Sequence, residues 1–334
     1  MDLTDALAAQ IRQADTPASR AAAERLREIY RSGAAPTELA VATKESALTY
    51  GAYRMPATYA AVRAALSMSP HQALPSQAPA THLDLGGGTG AAVWAVHEVW
   101  PEVTSRVLDA SEVALDLGRR IAARGDGPVA STVWERAHLG PATILPSADL
   151  VTISYLLGEL ADATAAHLVD EALDKASLLL AIEPGTPRGH AAILEARARA
   201  IEAGWRLLAP CPHAHTCPAV APDWCHFAVR LPRSVTHRAL KGAERGFEDE
   251  KFSFVLAVRP GTGVGSVVAA GVDAGADPGS PAARVVRHPL QRKGLVQVRT
   301  CEADGVLHDR IISKRQGEAY RRARDLTWGD TLNP

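Results

Sequence analysis

Cysteine is scarce in this chain, with four in 334 residues. Because nothing marks a secreted protein, a disulfide framework is not expected. No run of about 18 apolar residues occurs, so we expect no membrane-spanning helix. The first ten residues, MDLTDALAAQ, are acidic and amphipathic, whereas a signal peptide starts basic and continues apolar. These absences predict a cytoplasmic globular protein that is long enough for two domains.

Excess charge of either sign is also lacking, but the net charge of −1 hides an uneven distribution. Residues 284–324 carry eleven Lys/Arg against four Asp/Glu, a local +7, and residues 230–245 carry five against one, a local +4. Concentrated basic charge indicates a polyanionic partner, for which RNA is the natural candidate; the alternative is a solvated basic face. We expect no membrane partner and a monomeric protein.

The chain lacks internal repeats and divides into three regions. Residues 1–75 are Ala-rich with apolar positions at helical spacing, and a Pro/Gln/Ala linker follows at 71–80. Residues 76–205 alternate short apolar runs with helical stretches, which predicts an α/β fold: a parallel sheet with helices on both faces. Residues 206–334 form a basic extension of short β-like runs, interrupted by a Gly/Ala/Pro loop at 260–282.

A glycine-rich turn follows the first predicted strand and opens a helix. It contains Asp84, Gly86, Gly88 and Gly90, and its D-x-G-x-G-x-G pattern resembles motif I of class I methyltransferases. Glycines let a ligand approach the backbone, and the cationic amino-acid end of S-adenosylmethionine favours a nearby carboxylate. Asp109 ends the second strand, where an acid can accept hydrogen bonds from ribose hydroxyls. The alternative is a Rossmann-like sheet that has lost its ligand.

No catalytic apparatus is recognisable beside this turn. The fourth predicted strand and the residues after it, 149–160, lack the Asn/Asp-Pro-Pro-Tyr/Phe tetrapeptide that grips an exocyclic amino group. Glu159 could act as a base or could cap a helix. Glu183, which ends the fifth predicted strand, could face either the cofactor or solvent. The catalytic residues are therefore unknown from the sequence.

The four cysteines are unevenly placed. Cys211, Cys217 and Cys225 lie within fifteen residues, and Cys301 follows after 75 more. Four thiolates are the usual ligands of an iron–sulfur cluster or a structural zinc ion. Zinc ribbons prefer C-x2–4-C knuckles, which are missing here, whereas wide spacing suits a cubane cluster. Zinc and plain buried thiols remain the alternatives.

Several strings of the sequence resemble one family. They are Tyr50…Arg54-Met-Pro56…Tyr59, residues 84–90, Leu156-Leu-Gly-Glu-Leu160, Ile182-Glu-Pro-Gly-Thr-Pro187, Pro210-Cys-Pro-His213…Cys217-Pro218, Asp223-Trp-Cys-His-Phe227, Arg233-Ser234…His237…Lys241-Gly242, Glu248-Asp-Glu-Lys-Phe252 and Trp328-Gly-Asp330. The family is that of the methyltransferase-like assembly factors of the small ribosomal subunit, from mitochondria and bacteria.

The resemblance implies a class I methyltransferase fold that binds small-subunit rRNA in the assembling small ribosomal subunit. It also implies a [4Fe–4S] cluster on Cys211, Cys217, Cys225 and Cys301, and cofactor contacts in the glycine-rich turn. An active rRNA methyltransferase and a non-catalytic RNA-binding assembly factor with a structural metal site are the alternatives. A small-molecule methyltransferase with a zinc site is disfavoured, because a small substrate does not need a basic extension.

Overall fold

A computed structural model describes residues 1–11, 16–32, 41–69, 78–241, 244–261 and 283–332. The predicted linker and the predicted Gly/Ala/Pro loop fall mostly outside these ranges. The α-helices are, in chain order, α1 (Leu3–Ile11), α2 (Pro17–Ser32), α3 (Lys44–Tyr53), α4 (Met55–Ser67), α5 (Ala91–Val99), α6 (Glu112–Ala122), α7 (Asp162–Lys175), α8 (Pro187–Glu202), α9 (Val235–Lys241) and α10 (Glu318–Asp325). The strands are β1 (Thr81–Leu85), β2 (Thr104–Asp109), β3 (Val133–Arg136), β4 (Ala148–Ser154), β5 (Ala176–Pro184), β6 (Arg206–Ala209), β7 (Phe227–Pro232), β8 (Phe247–Val258), β9 (Ala283–Val285), β10 (Leu290–Arg292), β11 (Leu295–Glu302) and β12 (Leu307–Ser313).

The main sheet has the strand order β3-β2-β1-β4-β5-β8-β6, with β7 paired to β8. Strands β1 to β5 are parallel. Their central members are nearly continuous apolar runs, as expected where helices cover both faces of a sheet. The alternation of strands and helices predicted for residues 76–205 is present as β1 to β5 and α5 to α8. The α/β class I methyltransferase fold predicted from the sequence is confirmed.

The main sheet continues beyond residue 205, where we placed the end of the domain. Strand β8 runs antiparallel to β5, pairing Leu180 with Leu256, and it also pairs with β6 and β7. Its second half is buried on both faces, so it lies inside the sheet and not on a separate module. The first part of the predicted extension thus completes the methyltransferase sheet, and the division into domains stays a prediction.

The N-terminal helices pack against α5 and α6 beside the glycine-rich turn. Buried apolar side chains from both sets form one cluster, which includes Leu7, Ile11, Met55, Leu117 and Ile121. Helix α3 begins with a capping box, in which Thr43 Oγ1 accepts the backbone N–H of Ser46 at 3.1 Å. The predicted helical region therefore forms one side of the domain.

Strands β9 to β12 form a second, antiparallel sheet, which we call the C-terminal module together with α10. Val296, Val298, Ile312 and Ala323 make its small core. Because this core is small, contacts with the main domain contribute much of what holds the module in place. None of the described helices is both long and apolar enough to cross a membrane.

Candidate functional site

Gly86, Gly88 and Gly90 form the glycine loop, and all three adopt positive φ angles of 62°, 52° and 80°. A Cβ atom at Gly86 would lie 2.8 Å from Leu156, and one at Gly90 would strike Trp134. The space beside Gly88 is open except for Oδ2 of Asp109 at 3.7 Å. The backbone of this loop is therefore accessible to a ligand at Gly88.

Asp109 ties the glycine loop to the end of β2. Its Oδ2 accepts the N–H of Gly88 at 2.9 Å, and its Oδ1 accepts the N–H of Ser111 at 2.7 Å. Burial raises the pKa of this carboxyl, while the two backbone hydrogen bonds oppose that shift. Each oxygen keeps further lone-pair capacity, so Asp109 can also accept ribose hydroxyl groups.

Asp84 lies beneath the glycine loop and is fully buried. Oγ1 of Thr152 is in hydrogen-bond contact with its Oδ1 at 2.6 Å, whereas Oδ2, packed under Gly87, has no hydrogen-bond partner within the described ranges. Burial raises the pKa of Asp84 to about 7. This acid is therefore shielded by the loop and does not line its open side.

Glu183 does not face solvent, and its carboxylate is turned toward the backbone that follows β4. It is 2% exposed and accepts the N–H of Leu157 at 2.8 Å, which caps the 3-10 turn Leu157–Glu159 at the end of β4. Burial raises its pKa to about 8. Glu159 has its pKa raised to about 7, first by burial and then by Asp109, against the opposing effect of Arg54.

A cluster that we did not predict covers the end of β4. Tyr155 has a φ of 59°, which is unusual for a residue other than glycine, and its hydroxyl donates to Glu250 Oε1 at 2.9 Å. Arg54 donates to both oxygens of Glu250 at 3.2 and 3.3 Å and lies over the Tyr155 ring. Arg54 and Glu250 are 196 residues apart, so the only signal in the sequence was their presence in two of the family strings.

The four cysteines line one cavity, between the loop that joins β6 to β7 and the edge of β11. All four are free thiols, and Cys301 is buried while the others are half-buried. Burial raises the pKa of Cys225 and Cys301, the latter to about 12, and the neighbouring cysteines raise both further. In the described part of the chain, no three potential ligands stand close enough to hold a single metal ion.

Two buried arginines hold the walls of this cavity. Arg284 donates to the carbonyl oxygens of Pro210, Gly329 and Met68 at 3.0, 2.7 and 3.0 Å. Burial lowers its pKa to about 10, against the opposing effect of Cys211. Arg197 donates to two carbonyl oxygens of the cysteine loop, each at 2.8 Å. Neither arginine was predicted, because nothing in the local sequence distinguishes them from surface residues.

Histidine nitrogens also approach two of the thiols. Nε2 of His213 lies 3.3 Å from Sγ of Cys301, and Nε2 of His190 lies 4.0 Å from Sγ of Cys217. Both rings are at most 7% exposed. The cavity is therefore lined by four sulfur atoms together with the nitrogen-bearing side chains of two histidines and two buried arginines.

The two basic segments differ in how their charge is used. Strand β8 pairs with two basic residues of the first: Arg230 with Asp249 at 2.8 Å, and Arg233 with Glu248 at 3.0 Å. In the C-terminal module, seven exposed basic side chains form no ion pair with any described residue. They are Arg292, Lys293, Lys314, Arg315, Arg321, Arg322 and Arg324. Two of the five basic residues in the first segment are thus paired with acids, whereas much of the local +7 faces solvent.

Strand order and glycine loop together define a class I methyltransferase domain, here with an attached basic module and a cysteine-lined cavity. A family model described as mitochondrial small ribosomal subunit Rsm22 matches residues 44–333, and the chain belongs to that family. The family predicted from the sequence is confirmed.

The chain is also similar to named proteins of that family. It is 27% identical over 316 residues to human ribosome assembly protein METTL17, mitochondrial, covering 87% of this chain and 63% of that protein. It is 29% identical over 180 residues to Rsm22-cox11 tandem protein 2, mitochondrial, of Schizosaccharomyces pombe, covering 46% of this chain and 24% of that one. The chain thus spans less than two thirds of the length of both relatives.

Solved methyltransferase structures are similar only at a low level. Human N-acetylserotonin methyltransferase in complex with SAM matches with 16% identity and a TM-score of 0.40, covering 71% of this chain and 66% of that chain. A likeness at this level carries no argument about ligand or activity.

Proposed function

We propose that this chain is an assembly factor of the small ribosomal subunit that binds S-adenosylmethionine, a [4Fe–4S] cluster and small-subunit rRNA. The observation that carries the proposal is the group of seven exposed basic side chains on the C-terminal module, which pair with no described acid. This chain belongs to the Rsm22 family, whose description names the mitochondrial small ribosomal subunit, and the similar human protein METTL17 is named a ribosome assembly protein. The cytoplasmic location stays a prediction; both relatives have mitochondrial names.

Support for S-adenosylmethionine comes from the glycine loop. The open side of Gly88, the carboxylate of Asp109 and the buried acid Asp84 suit a ligand with ribose hydroxyls and positive charge. When bound, the ligand would offer a methyl group on a sulfonium. Among the described residues at the end of β4, Tyr155, Glu250 and Arg54 bond one another, whereas the carboxyl group of Glu159, whose pKa burial raises to about 7, is a candidate base for such a transfer. An active rRNA methyltransferase therefore stays the alternative to binding without methyl transfer.

Support for the cluster comes from the donor set of the cavity. In a cubane each cysteine binds a different iron, so the four sulfurs need to surround a common space and not converge on one point. Cys211, Cys217, Cys225 and Cys301 do line one space. Arg197 and Arg284 would offset the negative charge of four thiolates. When bound, a cluster would supply metal–thiolate bonds that link β11 to the cysteine loop.

Support for an rRNA contact comes from charge that is available to phosphates. Arginine and lysine side chains without acidic neighbours can neutralise phosphates and release counterions, whereas paired ones must first break an ion pair. We therefore narrow the expected contact from both basic segments to the C-terminal module. Lys241, which belongs to the first segment, has no described side chain.

The test is a titration of a small-subunit rRNA fragment at several salt concentrations. The variant Arg321→Gln/Arg322→Gln/Arg324→Gln removes three exposed charges from α10. It should bind more weakly, and the slope of log K against log salt should fall by about 2, because each phosphate contact contributes about 0.7 on single strands. A control, Arg106→Gln/Arg119→Gln/Arg120→Gln, removes equal charge from β2 and α6 and should bind like the unchanged protein. Equal loss in both variants, or a flat salt dependence, would contradict the proposed RNA contact.

A further inference from the structure

A line of buried hydrogen bonds begins beneath the glycine loop and crosses three strands of the main sheet. Thr152 Oγ1 on β4 lies 2.6 Å from Oδ1 of Asp84 and 2.8 Å from Nε2 of His82. Asp84 and His82 are two residues apart on β1, so their side chains share one face. All three are at most 2% exposed. These groups therefore exchange hydrogen bonds with each other and not with solvent.

The line continues from His82 to the helix that follows the loop. Nδ1 of His82 lies 3.0 Å from Oγ of Ser105 on β2, and that oxygen lies 3.3 Å from Nε2 of His97 on α5. Nδ1 of His97 lies 3.4 Å from the carbonyl oxygen of Pro101. Asp84 is thus joined, through four other side chains, to a backbone carbonyl at the end of α5.

That carbonyl fixes the direction of the hydrogen bonds. It can only accept, so Nδ1 of His97 carries a proton. If His97 is neutral, its Nε2 accepts from Ser105, which in turn accepts from Nδ1–H of His82. Nε2 of His82 then accepts from Thr152. Thr152 must accept in turn from Asp84, which is therefore a protonated acid in this arrangement.

In a second arrangement the same groups stay hydrogen-bonded, but every hydrogen bond between Asp84 and His97 has its donor and acceptor exchanged. Asp84 is then a carboxylate, His82 carries its proton on Nε2, and His97 is an imidazolium with both nitrogens protonated. One proton relates the two arrangements. The O–H bond of Asp84 breaks and an N–H bond forms at Nε2 of His97, while each group between them passes on one proton and receives one.

We propose that this line is a proton relay between Asp84 and His97, and that a cationic ligand at the glycine loop draws the proton toward His97. The second half rests on the proposed S-adenosylmethionine site. A positive charge near a buried acid favours its carboxylate, and a low dielectric strengthens that effect. Without such a charge the neutral acid is favoured, because burial raises the pKa of Asp84 to about 7.

Other charged groups act on both ends and the middle of the line. Asp109 on β2 raises the pKa of Asp84 further. Burial lowers the pKa of His97, while Glu102, just beyond α5, opposes that shift and so favours the imidazolium. Burial and His97 lower the pKa of His82 to about 3, so the middle ring stays neutral and transmits the proton only by exchanging tautomers.

Nitrogen NMR on full-length protein labelled in its histidines tests the relay without ligand. As the pH rises through the pKa of Asp84, the relay loses its shared proton, and the proton on His82 should move from Nδ1 to Nε2. A ring that only fills space in the core keeps one tautomer. A single His82 tautomer from about pH 5 to about pH 9 would overturn the relay.

Three variants identify the connection. Thr152→Val removes the hydroxyl between Asp84 and His82, so the tautomer should no longer follow the pH, and Thr152→Ser should restore the switch. Asp84→Asn cannot ionise and should hold His82 in one tautomer throughout. If Thr152→Val switches like the unchanged protein, the proton does not travel along this line.

The same titration in the presence of ligand compares S-adenosylmethionine with S-adenosylhomocysteine, which lacks the sulfonium charge. Saturating S-adenosylmethionine should lower the midpoint of the His82 switch by about one pH unit, which is a tenfold preference for the ionised acid, and S-adenosylhomocysteine should lower it less. Calorimetry measures binding separately. Absence of binding would refute the proposed ligand site while the ligand-free titration still decides the relay. Binding with an unchanged midpoint would overturn the coupling.

Discussion

At the scale of single residues, Gly88 differs from the other two glycines of its loop in what surrounds it. Gly86 and Gly90 are needed for packing, because added side chains would meet Leu156 and Trp134. Gly88 has open space beside it and only Asp109 nearby. A side chain at this position would therefore occupy the place of a ligand and leave the core intact.

We accordingly expect Gly88→Val to lose S-adenosylmethionine affinity by at least about tenfold, or 1.4 kcal/mol, while the fold persists. Calorimetry measures the affinity, and circular dichroism measures the fold. Gly127→Val is the matched control, because Gly127 has a φ of 61° and nothing within 4 Å of an added Cβ, so it suffers the same backbone strain away from the loop. Equal affinity in the unchanged protein and Gly88→Val would place the ligand elsewhere.

At the scale of elements, the cysteine cavity joins a loop to a strand from a different sheet. Cys211, Cys217 and Cys225 belong to the segment from the end of β6 to the start of β7, and Cys301 lies on β11, opposite Arg284 of β9. A group bound to all four sulfurs would link the main sheet to the C-terminal module. This link is the reason to expect a structural consequence of losing one ligand.

Protein purified without oxygen should be brown and contain about four irons per chain, as a four-cysteine cubane requires. Cys217→Ser should lose the iron and the visible absorbance and should lower the melting temperature. Thr216→Ser, which alters the adjacent side chain and no thiol, should keep both. Iron and zinc analysis of the three proteins is the measurement, and stoichiometric zinc without visible absorbance would contradict the cluster.

At the scale of the whole molecule, one buried cation connects parts that are distant in sequence. Arg284 contacts the carbonyl oxygens of Met68 after α4, Pro210 before the cysteine loop and Gly329 after α10. Hydrogen bonds to a charged group contribute about 1.5–3 kcal/mol each. The N-terminal helices, the main domain and the C-terminal module are therefore held together at one point beside the cavity.

Buried acids should make the stability of the whole molecule depend on pH. Burial raises the pKa of Asp84 and Glu159 to about 7 and that of Glu183 to about 8. Because the folded state then holds more protons than the unfolded state, the free energy of unfolding should fall as the pH rises toward about 8. Each group contributes at most about 1.4 kcal/mol per pH unit. His82, whose pKa is lowered to about 3, opposes this trend only below its unfolded value of 6.5.

The measurement is chemical unfolding between about pH 6.5 and about pH 8, a window in which the acids act without that opposition. Glu183→Gln keeps an oxygen that can accept the N–H of Leu157 and removes the titration, so its stability should fall less steeply with pH. Glu195→Gln, on the exposed side of α8, is the matched control and should keep the slope of the unchanged protein. Identical slopes for Glu183→Gln and the unchanged protein would show that Glu183 does not titrate in this window.

The sequence by itself determined the features that depend on local pattern. Apolar runs and helical spacing predicted β1 to β5 and the helices between them, the glycine pattern predicted the loop at Gly86–Gly90, and cysteine clustering with the family strings predicted which thiols share a site. Strands β6, β7 and β10 and helices α9 and α10 were not predicted, because they are short and have little periodicity of their own.

Only the tertiary structure decided the features that depend on partners. Strand pairing placed β6 and β8 in the main sheet, and β8 brought Glu248 and Asp249 opposite Arg233 and Arg230, so charge that looked free in the sequence is cancelled. The line from Asp84 to His97 likewise exists only because three strands lie side by side. Register and long-range contacts are set by packing between distant segments, and a single sequence does not record which segments meet.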